Sequence, residues 1–186
     1  MGTVEEGVER WLRERADPQV CDNFVAGCAE RMVQIFTGLR GSDEARRDDV
    51  DLMLAVVEAL WRDDVPSSQF DDLATRLERV PEFASEDVLL AVEDIHSFYA
   101  ALVVRCAARY RADQLAGDAV ECAHVSLTAM GQIDQNVANS ALMSREYEMQ
   151  RRSARASDRE TTDARRAADQ VESRERLLVL LERVGG

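Results

Sequence analysis

SEDVLLAVEDIHSFYAALVVRC (Ser85–Cys106) decides the fold of this chain. Its apolar residues run from Val88, Leu89 and Leu90 through Val92, Ile95, Phe98 and Tyr99 to Leu102, Val103, Val104 and Cys106. They cover most of the circumference of a helix rather than alternating as a half-buried strand would. A helix that is apolar on most sides belongs near the centre of a fold. Ser85, ahead of Glu86 and Asp87, is placed to cap its positive end. The segment also carries Glu93-x-x-His96, and a second Glu-x-x-His unit, Glu121 to His124, lies downstream in VECAHVSLTAM (Val120–Met130). Together the two units use both histidines of the protein.

Working outward, Gly117 and Asp118 open the next helix, which turns Val120, Ala123, His124, Leu127, Met130, Ile133 and Val137 inward. Upstream lie four further segments with helical spacing. Thr3 and Glu6 form a capping box ahead of Val4, Val8, Trp11 and Leu12. The stretch from about Val20 to Leu39 aligns Phe24, Val25, Cys28, Met32, Ile35 and Phe36 and stops at Gly38 and Gly41. Ser42 can cap a helix facing inward with Val50, Met53, Leu54, Val57, Leu60 and Trp61. After Pro66, Ser67 or Ser68 caps one carrying Phe70, Leu73, Leu77 and Val80. The three prolines, Pro18, Pro66 and Pro81, fall between these segments, where a missing N–H does least harm.

The expectation is an all-α, single-domain bundle of six or seven helices around a hydrophobic helix hairpin at about residues 85–140. Residues 1–143 form the helical core. Residues 144–186 form a long, polar, Arg/Ala-rich C-terminal helix packing on the core or on a dimer partner. In that region RRSARASDRETTDARRAADQ (Arg151–Gln170) has high helix propensity but almost no large apolar residue, so it is expected helical and unburied. LLVLLERV (Leu177–Val184) restores an apolar patch.

At 186 residues the chain can bury a core without disulfides or a structural metal. No apolar run approaches the ~20 residues of a membrane span. The N-terminus, MGTVEEGVERWL, is acidic and amphipathic where a secretory signal is basic and then apolar, so cytoplasmic residence is expected. The four cysteines, at 21, 28, 106 and 122, form no C-x-x-C and read as buried free thiols. All 23 basic residues are Arg, which excludes lysine Schiff-base and P-loop chemistry. A net charge of −13 opposes polyanions, so nucleic acid is not an expected partner, and neither is a membrane; a basic protein is. The charge is uneven: residues 144–186 hold ten Arg against nine acids, leaving the main body strongly negative.

The two Glu-x-x-His units raise a metal centre as the alternative to a plain bundle. Carboxylate-bridged di-iron and di-manganese bundles take a Glu from each of two helices and a Glu-x-x-His from each of two more. Glu30 and Glu58 lie on the second and third helices and Glu93, His96, Glu121 and His124 on the fifth and sixth, a ligand set that suits iron or manganese. Against it, Glu93 and Glu121 are rotated about a third of a turn from the apolar stripes. Both plain-Glu helices also precede both Glu-x-x-His helices. No cofactor is therefore the leading expectation. The acid pairs Asp48-Asp49, Asp63-Asp64 and Asp71-Asp72 sit at helix ends, where solvation explains them. No catalytic residues are assigned, because G-x-S-x-G elbows, Gly-rich phosphate loops and strands to mount them do not occur.

NFVAGCAERMVQIF (Asn23–Phe36), LMLAVVEALW (Leu52–Trp61), FASEDVLLAVEDIHSFYAALV (Phe83–Val103) and AVECAHVSLTAM (Ala119–Met130), in this order, resemble the YjaG-like bacterial proteins grouped as domain of unknown function 416. The most specific word is C-x-E-R-M, here Cys28-Ala29-Glu30-Arg31-Met32. The resemblance covers about residues 8–150 and implies an all-helical cytoplasmic domain, with no activity to carry over. Members of that family keep acids near the positions of Glu30, Glu58, Glu93 and Glu121 but not His at 96 and 124.

The functional expectation is a non-enzymatic protein-binding or regulatory module, immunity- or antitoxin-like in one form, with a basic protein as partner. The alternatives are the carboxylate-histidine metalloprotein and a self-associating structural protein acting as a homodimer.

Overall fold

Residues 4–14, 17–84, 91–135, 141–155 and 162–184 are described by the structure, a computed structural model. Helix α1 (Glu6–Glu14) turns Val8 and Leu12 inward, and on its outer side Arg10 pairs with Glu6 and Arg13 with Glu9, one turn apart. Its expected cap, Thr3, lies outside the described residues. Asp17 then accepts the Gln19 N–H at 2.9 Å and Pro18 supplies a preset φ, and these two residues start α2 (Pro18–Arg40). α2 runs through Gly38 and ends at Gly41, whose N–H donates to the Thr37 carbonyl at 2.8 Å.

Asp43, not Ser42, is the next cap: its carboxylate accepts the Ala45 N–H at the start of a 3-10 turn (Glu44–Arg46) that leads into α3 (Arg47–Leu60). α4 (Ser67–Leu77) starts directly after Pro66 with no side-chain cap bond, and Phe70, Leu73 and Leu77 are buried as expected. A single turn, α5 (Pro81–Ala84), comes next. α6 (Val92–Asp113) is the apolar helix that carries His96; its expected Ser85 cap and Val88 to Leu90 lie outside the described residues. Gln114 ends it in the left-handed region at φ 56° and returns its N–H to the Tyr110 carbonyl at 2.7 Å. With Leu115 as the only other connector, α7 (Ala116–Asp134) packs straight back on α6. Val137 lies outside the described residues. Asp134 accepts the N–H groups of Leu142 and Met143, both at 2.9 Å, and so caps α8 (Leu142–Ala154) across the intervening segment. α9 (Thr162–Val184) completes the described chain.

The described residues thus form nine α-helices and no strand, in one packed body. The expected hairpin is α6 with α7, but it shares the centre with α2, which touches α3, α6, α7, α8 and α9. Thirteen α2 residues are buried between Cys21 and Phe36, so its apolar surface wraps further round than one stripe. Two of the thirteen are Glu30 and Arg31, and they govern how α9 docks.

Two further sequence-based expectations are corrected. Leu54, assigned to the core face of α3, is 48% exposed, because Met53 and Val57 define a face rotated away from it. The C-terminal region, expected as one long polar helix packing on the core or on a dimer partner, is two helices, α8 and α9, and α9 lies against α2. Its inward face is Asp169, Glu172, Ser173, Arg176 and Leu180, all buried. A helix can bury such a face because each charge meets another inside; a count of large apolar residues does not register that.

Two close approaches bring α9 to α2. A Cβ placed on Gly27 would stand 2.8 Å from an Asp169 carboxylate oxygen and 3.0 Å from Arg31 Nη1, and one on Gly38 would stand 2.5 Å from Leu177 Cδ2. Elsewhere Arg111, from α6, closes the end of α3 by donating to the carbonyls of Leu60 at 2.6 Å and Arg62 at 3.0 Å while its guanidinium lies 4.6 Å from the Phe70 ring centroid.

Candidate functional site

Glu30 and Arg31 are neighbours on α2 and therefore point about 100° apart. Arg31 points into the α2–α8–α9 interior and is fully buried. Its Nε and Nη2 donate to the two oxygens of Glu146 at 3.0 Å each, a two-point fork, and its Nη1 donates to Asp169 at 2.7 Å. Glu146 also accepts from Arg176 Nη2 at 2.7 Å and from Gln150 Nε2 at 2.8 Å. Arg176 continues to Glu172 at 3.0 Å, and Glu172 meets Arg145 at the rim. Burial by itself pushes the Glu146 carboxyl up, but Arg31 and Arg176 together outweigh it and bring it down to about 2. Asp169 goes the other way: burial raises it, and Arg31 only partly offsets that. Beside this network sit Cys28, whose sulfur receives Arg31 Nη2 at 3.4 Å, and Cys122, whose thiol is raised first by burial and then by Cys28. The Cys106 thiol, also buried, is pushed up to about 12.

Glu30 points the other way, into a groove of about 470 Å³ between α3 and α9 whose floor is α2. Trp61 Nε1 donates to Glu30 at 2.8 Å, Arg166 Nε donates to the same oxygen at 3.2 Å, and Arg166 Nη2 reaches on to Glu58. Burial raises the Glu30 carboxyl above its ordinary range against the pulls of Trp61 and Arg166. Glu58, well exposed, is lowered by its hydrogen bond from Arg166. Val33, Leu54 and Val57 complete an apolar lining. Among the described residues its lining holds no Ser, Thr, Cys, His or Tyr side chain, and the groove offers charge, the amides of Gln34 and Gln170, and apolar surface.

The six candidate metal ligands do not converge. Glu30 and Glu58 are brought together, and the cation between them is the Arg166 guanidinium. His96 is buried in α6 and Glu93 half-buried one turn before it. On α7, His124 is half-buried and Glu121 exposed. Among the described residues no group of three or more His, Cys, Asp and Glu is arranged to hold a metal ion. Periodicity and spacing missed Arg166, Arg31, Glu146, Asp169 and Arg176. One signal was available: an Arg in the middle of a helix that is otherwise apolar, in Ala29-Glu30-Arg31-Met32, calls for a buried carboxylate. Nothing in the spacing says where in the chain that carboxylate lies.

No family model matches the chain, and no curated protein or solved structure matches it either. The resemblance to the YjaG-like proteins rests on its short sequence words alone.

Proposed function

We propose that this chain is a non-enzymatic binding protein whose α3–α9 groove takes a basic, partly apolar segment of a partner protein. The observation that carries the reading is the groove itself. Leu54, 48% exposed, gives an incoming side chain something to cover, and Glu58, 58% exposed at its side chain, is held by Arg166 at the rim. An arginine or lysine from a partner can share or take over that carboxylate. The surroundings favour a cation as well: residues 43–84, which supply α3 and α4, hold twelve acids against five Arg. Such a field speeds encounter with a basic surface and repels an acidic one. An immunity- or antitoxin-like protein that covers a basic effector is one form of this function. The cytoplasm suits it, since the four cysteines are free and buried, as in a reducing compartment. No helix among the described residues is long and apolar enough to cross a membrane.

Trp61 reports on the groove floor through its bond to Glu30, and Trp11 is the only other tryptophan. The test titrates the Trp11→Phe protein with short peptides of alternating Arg and Leu, following Trp61 fluorescence at two salt concentrations. Saturable binding that weakens with salt and with Glu58→Arg supports the function. Equal response to an acidic peptide of the same length, or no response at all, removes it.

A further inference from the structure

The outward face of α9 carries a second pattern, independent of the groove. Ala164, Ala167, Val171, Arg174, Leu178 and Leu181 succeed one another at alternating steps of three and four residues over three heptads. All six are exposed, Val171 and Leu178 at 56% each and Leu181 at 42%. That spacing is the a/d seam of a two-stranded coiled coil, in which such residues insert between those of a facing helix. The inward face of α9 is a different set, Asp169, Glu172, Ser173, Arg176 and Leu180, already committed to α2 and α8.

We propose that this seam pairs antiparallel with the α9 seam of a second copy of the chain. Size and charge along the seam select that occupant. Side chains grow from Ala164 and Ala167 at one end to Leu178 and Leu181 at the other. An antiparallel pair sets Ala164 against the partner's Leu181 and Ala167 against the partner's Leu178, so each of these end layers holds one small and one large residue. A parallel pair would stack leucine on leucine at one end and leave alanine facing alanine at the other. Arg174 points the same way. In parallel it meets the partner's Arg174 in the same layer; in antiparallel it lies opposite the partner's Val171, with the partner's Glu175, which also takes Arg145 of its own chain, about 6 Å along the axis, within an arginine's reach. A seam of three heptads is at the small end of specific interfaces, so the dimer is weak and concentration-dependent, with a dissociation constant on the order of micromolar.

Sedimentation equilibrium of the full chain across a hundredfold concentration range tests this. The expected result is a monomer–dimer equilibrium that Leu178→Glu/Leu181→Glu shifts to monomer, with helicity unchanged and the same thermal midpoint as wild type at concentrations where wild type is itself monomeric, since both side chains face away from the body. Arg174→Leu completes the seam and tightens the dimer about tenfold or more, an outcome that damaged folding cannot mimic. Orientation is read by disulfide trapping: Ala164→Cys mixed with Leu181→Cys gives a mixed dimer, whereas Ala164→Cys linked to itself overturns the antiparallel pairing. A wild-type chain that stays monomeric throughout, or a dimer indifferent to both variants, assigns the seam to another occupant and overturns the proposal.

Discussion

Replacing Glu146 by Gln removes one negative charge from the centre of the bundle while keeping its shape. Wild-type Glu146 is fully buried and accepts four hydrogen bonds, three of them from the guanidiniums of Arg31 and Arg176. Its carboxyl is brought from an ordinary 4.5 down to about 2. A shift of that size corresponds to about 3 kcal/mol in favour of the ionised folded form at neutral pH. Removing one partner of a buried pair costs about 3–5 kcal/mol on general grounds, and the two figures agree. Because the folded value is depressed, this stability is complete above the unfolded value and is lost as pH falls through the folded one. Urea unfolding of wild type and Glu146→Gln, followed by circular dichroism, should therefore differ by about 3–5 kcal/mol at pH 7. The corresponding fall in thermal midpoint is roughly 6–20 °C. The gap should be constant down to about pH 5 and narrow as pH falls toward 2. A difference under about 1 kcal/mol at pH 7, or one that does not narrow in acid, would refute the view that charge pairing holds α8 and α9 to α2.

Glu30→Gln makes the opposite case. Burial raises this carboxyl, so its ionised form is not what stabilises the fold, and Gln keeps an acceptor for Trp61; a change within about 1 kcal/mol is expected in the same urea assay. A loss as large as that for Glu146 would contradict it. Gly27→Ala sets two effects against each other: helix propensity favours Ala by about 1 kcal/mol, while the new methyl meets the Asp169–Arg31 pair at 2.8 and 3.0 Å. Overpacking costs about 1–3 kcal/mol, so net destabilisation is expected, and a variant more stable than wild type would show that the approach of α9 is looser than described. All four thiols are buried and those of Cys106 and Cys122 are raised, so an aromatic disulfide reagent should label none of them in the native protein and all four in denaturant. Rapid labelling of the folded chain would contradict their burial.

The helices were legible because burial of Phe24, Met32, Phe36, Met53, Phe70, Val103 and Met130 repeats with the period of the helix. Their starts were less so. Asp43 takes the role expected of Ser42, and α4 begins after Pro66 without a side-chain cap, since several polar residues near a helix start can serve equally and packing chooses. α9 was the largest departure. Arg176 and Glu172 lie one helical turn apart, and Arg176 is closed in by Glu146, 30 residues away in sequence. The groove was half visible: Glu30 and Glu58 were picked out as facing carboxylates, but as ligands of a metal. The cation bridging them, Arg166, comes from a segment whose composition suggested only solvent.

Arg31 finds its carboxylates 115 and 138 residues further along the chain, at Glu146 and Asp169. At a synthesis rate of about 5–20 residues per second, Arg31 is made roughly 6 to 23 s before Glu146 and roughly 7 to 28 s before Asp169. Until Glu146 is made, α2 carries a guanidinium without either of the carboxylates that enclose it in the folded chain. The charge balance of the α2 interior is thus completed only by segments made long after it, α8 and α9.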